Sequence, residues 1–189
     1  MHFIFPSDFI FWKPANEHKK IKEELFSLIK NNLDKTKDKQ LNNWLCDVNT
    51  EFFENNLNNK KYLKLILEEI YPALDALFTE VVNLKKPKQS IVTKIWYNHY
   101  NKLQGQEIHS HSSDGTNNLS GIYLLHLEEE NKTIFYSYAS TNSNLCNSVK
   151  KTTEIKEGSI ILFPSHLLHY VLPCKKERIT IAFNIKVDF

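Results

Sequence analysis

The chain changes its residue pattern near residue 88, and this change limits the folds that it can adopt. Residues 1–88 contain no glycine, whereas all four glycines lie between Gly105 and Gly158. Six of the eight histidines lie between His99 and His169. Apolar residues at helical spacing favour helices, and short apolar runs between turn residues favour strands. The pattern therefore predicts a helical N-terminal part followed by a β-rich part.

Two helices are predicted in the first part, over residues 17–32 and 60–84. A short extended segment, residues 3–12, precedes them, and residues 34–43 have the polar composition of a loop. Pro72 is expected to kink the second helix or to start a new one. The apolar residues of each helix recur on one face: Ile21, Leu25, Leu28 and Ile29 in the first helix, and Ile66, Ile70, Leu74, Leu77 and Val81 in the second.

From residue 90 onward, short runs of β-branched and aromatic residues alternate with turn signals, which is typical of a β-sandwich or barrel. We expect a single domain over residues 1–189, in which residues 1–88 form a helical layer and residues 89–189 form the β core. The predicted strands are 90–100, 106–111, 119–127, 133–138, 148–155, 159–163, 167–172 and 178–187.

Composition excludes several classes of protein. The hydrophobic fraction of 41% and the charged fraction of 24% are those of a folded chain rather than a disordered one. No apolar stretch is long enough to span a membrane, and residues 1–12 lack the basic start of a signal peptide. The net charge of +2, without a basic aromatic groove, argues against a nucleic-acid partner. Three cysteines in no CxxC pair favour a reducing, cytoplasmic compartment: Cys46, Cys146 and Cys174.

Three histidines have the spacing of a metal site. Residues two apart on a strand face the same side, so His109 and His111 can point into one cavity. His169 follows about sixty residues later, after a glycine turn, an apolar strand and a proline turn. His166 is the competing candidate, but we prefer His169 because His166 falls in the proline turn. Neutral imidazole is a common ligand of iron, zinc, copper and nickel.

The single arginine among 24 basic residues lies at position 178. Arg178 and Thr180 share a strand face, nine residues after His169. A guanidinium beside a hydroxyl suits a carboxylate, and lysine does not offer the same fork of donors. Asn98 and Tyr100 also share a face, at the end of the strand before the histidine pair. They are candidates for further hydrogen bonds to the same acid.

The order of these motifs resembles that of the Fe(II)/2-oxoglutarate-dependent oxygenase superfamily: Asn-x-Tyr, His-x-His, a distant His and Arg-x-Thr. Three segments are similar to an uncharacterised family of 2OG-Fe(II) oxygenases within it, namely residues 119–124 (LSGIYL), 162–173 (LFPSHLLHYVLP) and 178–185 (RITIAFNI). The resemblance covers residues 91–189. It implies a double-stranded β-helix, the jelly-roll barrel of this superfamily, with the N-terminal helices packed on one sheet.

The resemblance also implies a dioxygenase that binds Fe(II), 2-oxoglutarate and O2. Such an enzyme couples a hydroxylase-type oxidation of a C–H bond to decarboxylation of 2-oxoglutarate to succinate. The implied assignments are iron ligation by His109 and His169, binding of the distal 2-oxoglutarate carboxylate by Arg178 and Thr180, and assistance by Asn98 and Tyr100.

His111 departs from the superfamily pattern, in which the third metal ligand is a carboxylate. We expect His111 to complete a three-histidine site, with Asp114 or Glu107 as the alternative carboxylate ligand. The candidates for an apolar wall around the site are Leu124, Phe163, Leu172 and Phe183, although plain core packing is the more common use of such residues.

Two other functions remain open. A cupin-type metal-dependent enzyme would use the three histidines without 2-oxoglutarate, and it would have no need for Arg178 and Thr180. A non-enzymatic β-sandwich that binds a ligand or carbohydrate would carry the histidines without metal. The primary substrate and the oligomeric state do not follow from the sequence.

Overall fold

The computed structural model describes residues 9–33, 48–57, 60–81, 86–111, 117–131, 133–137, 147–149 and 154–189. Ten strands and two helices follow one another in these residues. In chain order they are β1 (Phe11–Pro14), α1 (His18–Lys30), β2 (Asn49–Thr50), α2 (Leu63–Ala76, continued by a π-helical turn, Leu77–Val81), β3 (Gln89–Tyr100), β4 (Gln106–His109), β5 (Leu119–Leu127), β6 (Thr133–Ser137), β7 (Asn147–Val149), β8 (Ser159–Pro164), β9 (Leu168–Val171) and β10 (Arg178–Asp188).

The strands form two antiparallel sheets. The major sheet has six strands in the order β1-β8-β5-β10-β3-β2, and the minor sheet has four in the order β4-β9-β6-β7. Chain neighbours therefore alternate between the two sheets along most of the β-rich part. This arrangement is the double-stranded β-helix expected from the sequence.

The pleat of the major sheet separates two cores. Along β10, the odd-numbered apolar residues from Ile179 to Ile185 join a cluster with the helices, while Arg178 and Thr180 face the minor sheet. β5 follows the same rule, since Tyr123 packs toward the helices and Leu124 packs between the sheets. The face between the sheets is the one that carries polar residues.

The helices bury one apolar stripe each against the major sheet. Ile21, Leu25 and Ile29 of α1 are buried in the same cluster as Ile66 and Ile70 of α2. Such stripes are stable only when they are covered, and the outer face of the sheet covers them. This contact supports our proposal that residues 1–189 form one domain.

The helix and strand ends differ from the predicted ones in a few places. α2 continues through Pro72, so no new helix starts there. Pro14 closes β1, which extends the edge of the major sheet and pairs with β8. The predicted strand over residues 148–155 is shorter, because Ile155 lies outside β7. The predicted loop at residues 34–43, Cys46, Cys146 and the first residues of the predicted extended segment lie outside the described residues. In the part of the chain that is described, no helix is long and apolar enough to cross a membrane.

Candidate functional site

Strands β3 and β10 lie side by side and present their polar faces to the space between the sheets. Arg178 is paired with Tyr100, and Thr180 with Asn98, in the antiparallel register of the two strands. Because residues two apart share a face, all four side chains point the same way. They line one pocket, together with residues of the opposite sheet.

The three predicted histidines line the same pocket from the opposite sheet. His109 ends β4 and lies directly across from His169 of β9, while His111 follows two residues after the end of β4. One ring nitrogen from each of the three residues lies within 4.8 Å of the other two. One metal ion can collect three imidazoles at this separation with small side-chain adjustments.

The second ring nitrogen of each histidine is held by an oxygen. His109 Nδ1 donates to the Glu107 carbonyl at 2.7 Å, and His169 Nδ1 donates to the Leu167 carbonyl at 3.0 Å. His111 Nδ1 donates to the side-chain oxygen of Asn184 at 2.8 Å. An acceptor at Nδ1 fixes the proton there, so Nε2 of each ring keeps its lone pair for a metal.

The electrostatics of the pocket favour neutral imidazoles. Burial is the largest cause in all three cases: it lowers the pKa of His109, lowers the pKa of His169 well below its ordinary value, and lowers the pKa of His111 to about 3. The mutual repulsion of protonated rings lowers the pKa of His111 and His169 further. At neutral pH the site therefore offers three uncharged nitrogen donors, which is the form that binds metal.

None of the other candidate ligands belongs to the histidine group in the described residues. His166 lies exposed in the turn after β8, away from the histidine group. The Glu107 side chain is not part of the group, although its main-chain carbonyl orients His109. Asp114 falls outside the described residues. Within the described residues the group is thus three histidines without a carboxylate.

Arg178 is the most unusual side chain of the site. It is 2% exposed, and its guanidinium donates to Asn131 Oδ1 at 2.9 Å and to Thr133 Oγ1 at 2.7 Å. Its Nε has no hydrogen-bond partner among the described residues. Burial lowers the pKa of Arg178, but a guanidinium stays protonated in proteins. The described residues thus hold a buried positive charge with neutral acceptors only, which is costly unless an anion completes the site.

Asn98 and Tyr100 also line the pocket, and each already has a side-chain partner. Asn98 Oδ1 accepts a hydrogen bond from Thr50 Oγ1 at 2.7 Å, and the Tyr100 hydroxyl donates to Gln106 Oε1 at 2.8 Å. The Tyr100 ring lies 5.6 Å from the Arg178 guanidinium carbon. The ring face of Tyr100 therefore stabilises the guanidinium of Arg178, while its hydroxyl is bound to Gln106.

Sequence reasoning missed three residues that hold the site together. Asn184 lies six residues after Arg178 on the same strand, so the period-2 pattern could have found it. Thr133 begins β6 and Asn131 lies in the loop before it. Their contacts with Arg178 depend on how the two sheets face each other. No local pattern in the sequence carries that information.

The expected apolar wall is correct for two of its four members. Leu124 and Phe163 pack between the sheets, and the Phe163 ring lies 4.9 Å from the His169 ring. Phe183 instead lies in the cluster with the helices, because an odd-numbered residue of β10 faces away from the pocket. Leu172 follows the end of β9 and is 40% exposed.

Comparisons with known proteins agree with this geometry. Residues 94–184 match the family model described as "Putative 2OG-Fe(II) oxygenase". No curated protein matches the chain by sequence.

Solved structures share the fold at low identity. A prolyl-4-hydroxylase from Pseudomonas putida has a TM-score of 0.60 at 10% identity, with 94% of this chain and 91% of that chain covered. A prolyl hydroxylase from Trichoplax adhaerens, solved with a hypoxia inducible factor peptide, has a TM-score of 0.63 at 13% identity, with 95% and 83% covered. A collagen prolyl hydroxylase of Paramecium Bursaria Chlorella virus-1, solved with 2OG, has a TM-score of 0.58 at 14% identity, with 95% and 96% covered.

Proposed function

We propose that this chain, which belongs to the Fe(II)/2-oxoglutarate-dependent oxygenase superfamily, holds Fe(II) with His109, His111 and His169 and binds 2-oxoglutarate through Arg178. It is an enzyme, and its co-substrates are 2-oxoglutarate and O2. The family match runs from the middle of β3 through most of β10, and this segment contains all four of these residues. The assignment of each residue to its task is our proposal.

The donor set suits the metal. Three neutral imidazoles with their Nδ1 atoms occupied are suitable ligands for Fe(II), which accepts nitrogen donors readily. When bound, Fe(II) with 2-oxoglutarate and O2 supplies the oxidation of a substrate C–H bond, coupled to decarboxylation of 2-oxoglutarate to succinate. The chain's own contribution is to hold the three Nε2 atoms in place, which the carbonyls of Glu107 and Leu167 and the amide of Asn184 do.

The observation that carries the proposal is the buried guanidinium of Arg178 in the pocket of the three histidines. A dicarboxylate with one end at the metal would place its other carboxylate toward Arg178, with Thr180 on the same strand face as a second donor. The resulting ion pair would neutralise the buried charge and satisfy Arg178 Nε, which has no hydrogen-bond partner among the described residues. Phe163 and Phe135 pack against the ring of His169 and shield this buried histidine from water.

The test is a titration of 2-oxoglutarate into the Zn(II)-loaded protein, since Zn(II) takes imidazole ligands but does not support the oxidation. Arg178→Lys keeps the charge and loses the fork of donors, so we expect the affinity for 2-oxoglutarate to fall by about tenfold or more. The affinity for Zn(II), measured separately, should stay nearly unchanged. Equal 2-oxoglutarate affinity in both proteins, or no binding to the wild type, would instead favour a cupin-type enzyme that works without this co-substrate.

A further inference from the structure

One end of the pocket lies where four strands begin or end. Tyr100 is the last residue of β3 and Arg178 is the first residue of β10, in the major sheet. Gln106 is the first residue of β4 and Val171 is the last residue of β9, in the minor sheet. All four residues line the pocket, and we call them the end wall. The proposed binding of 2-oxoglutarate by Arg178 makes no use of Gln106.

Two loops close the barrel behind the end wall, one between β3 and β4 and the other between β9 and β10. Main-chain hydrogen bonds join these loops, from the Leu103 N–H to the Cys174 carbonyl at 2.6 Å and from the Cys174 N–H to the Gln104 carbonyl at 2.9 Å. A Cβ atom at Gly105 would lie 2.7 Å from the Val171 carbonyl, so the first loop can lie this close to β9 because residue 105 is glycine. The backbone therefore fixes the position of the end wall.

A β-bulge turns Gln106 into the pocket. Gln106 lies opposite Val171 and His109 lies opposite His169, so three residue steps on β4 match two steps on β9. Both Gln106 and His109 thus face the pocket, although strict alternation would place residues three apart on opposite faces. At about 3.4 Å per residue, Val171 lies roughly 7 Å along β9 from His169. This distance from a metal ligand to the end wall is comparable with the length of an extended five-carbon diacid.

Tyr100 holds the side-chain amide of Gln106. The Tyr100 hydroxyl donates to Gln106 Oε1 at 2.8 Å, and this hydrogen bond connects the two sheets. Within the described residues Gln106 Nε2 makes no hydrogen bond, so its two N–H groups are available to a ligand in the pocket. The Tyr100 ring lies 5.6 Å from the guanidinium carbon of Arg178. A carboxylate at this end of the pocket would therefore meet the amide and the guanidinium together.

Building on the proposed function, we propose that Gln106 determines which 2-oxo acid serves as the co-substrate. Its Nε2 donates to the distal carboxylate beside Arg178, and its side chain, with that of Tyr100, limits the length of the acid that fits. A five-carbon 2-oxo diacid reaches from the metal to the end wall, whereas a six-carbon one is too long. In a fitted pocket, one methylene group more or less typically changes binding by about 10–200-fold.

The probes are 2-oxoglutarate and 2-oxoadipate, which differ by one methylene group. Each is titrated into the Zn(II)-loaded protein by calorimetry, and we expect the wild type to bind 2-oxoglutarate about tenfold more tightly or better. Gln106→Ala removes the donor and opens the end wall, so it should weaken 2-oxoglutarate binding by about tenfold and abolish the preference. Gln106→Met fills nearly the same volume without a donor, so it should weaken 2-oxoglutarate binding to a similar extent and retain most of the preference.

Gln89→Ala is the matched control, because Gln89 is exposed at the opposite end of β3. It should keep the affinity and the preference of the wild type. Equal binding of the two acids by the wild type, or an unchanged preference in folded Gln106→Ala, would overturn the inference. An unchanged 2-oxoglutarate affinity in Gln106→Met would also overturn it, and this variant decides if the alanine variant does not fold. Absence of 2-oxoglutarate binding to the wild type would instead refute the proposed function on which the inference rests.

Discussion

Asn184 offers the sharpest test of how the chain holds a metal. Its side-chain oxygen accepts hydrogen bonds from His111 Nδ1 at 2.8 Å and from Ser120 Oγ at 3.1 Å. Within the described residues, the other two histidines of the site are oriented by main-chain carbonyls, so Asn184 is the side chain to test. Asn184→Ala removes that acceptor and leaves a buried N–H of His111 without a partner. His109 and His169 keep their main-chain acceptors.

The expected effect follows from these contacts. An unsatisfied buried donor costs about 1–3 kcal/mol, and loss of a residue that orients a metal ligand typically weakens metal binding by about 10–100-fold. We therefore expect Asn184→Ala to weaken Zn(II) binding by about tenfold or more, because the free His111 ring can turn or change tautomer. Asn184→Asp retains an acceptor at the same position and adds negative charge, so it should bind Zn(II) at least as tightly as the wild type.

The assay is competition for Zn(II) with a chelator of known affinity, at pH 7.5, with circular dichroism to verify that each variant is folded. His166→Gln serves as a control, since His166 is exposed and lies outside the histidine group. If Asn184→Ala binds Zn(II) as tightly as the wild type while folded, the positioning role of Asn184 is refuted; if His111→Ala also binds Zn(II) as tightly, the three-histidine assignment is refuted.

Two further predictions concern the co-substrate end and the helix packing. Asn131→Ala removes the acceptor for one guanidinium nitrogen of Arg178, so calorimetry should show about fivefold weaker 2-oxoglutarate binding with unchanged Zn(II) affinity; unchanged 2-oxoglutarate affinity would refute the positioning role. Burial raises the pKa of Glu157, but hydrogen bonds from Lys22 and the Leu127 main chain outweigh it and bring the pKa below its ordinary value of 4.5. A carboxyl group whose pKa is lower in the folded state than in the unfolded state stabilises the fold at pH values above its unfolded-state pKa. This stabilisation is lost as the pH falls through the folded-state pKa. We therefore expect Glu157→Gln to lower the free energy of unfolding in urea by about 1 kcal/mol at pH 7, and by progressively less below pH 4.5. A difference between variant and wild type that does not change with pH would contradict this.

The parts of the fold and site that rest on local pattern could be predicted from the sequence. The period-2 alternation placed Arg178 and Thr180 on one face, and the same rule explains why Phe183 lies on the other. His109 and His169 could be paired because the motif order resembles that of a known superfamily. The helices followed from apolar stripes that need a partner.

The rest depends on contacts between segments that are far apart in the chain. Asn131 meets Arg178 across 47 positions, and Asn184 meets His111 across 73. Which polar side chain satisfies a buried donor is decided by the register of strands in two different sheets, and no single-sequence pattern encodes it. The edge-to-face contact between Phe52, next to β2, and Trp96 of β3 depends on the same long-range register.

The most direct measurement of the central claim is succinate formation from 2-oxoglutarate by the purified protein with Fe(II) in air. The account predicts slow succinate release without added substrate, which requires both Fe(II) and O2 and is lost in His169→Ala. It also predicts that Arg178→Lys raises the 2-oxoglutarate concentration needed for half-maximal release. Absence of succinate from a protein that binds Fe(II) and 2-oxoglutarate at this site, or release that persists in His169→Ala, would contradict it.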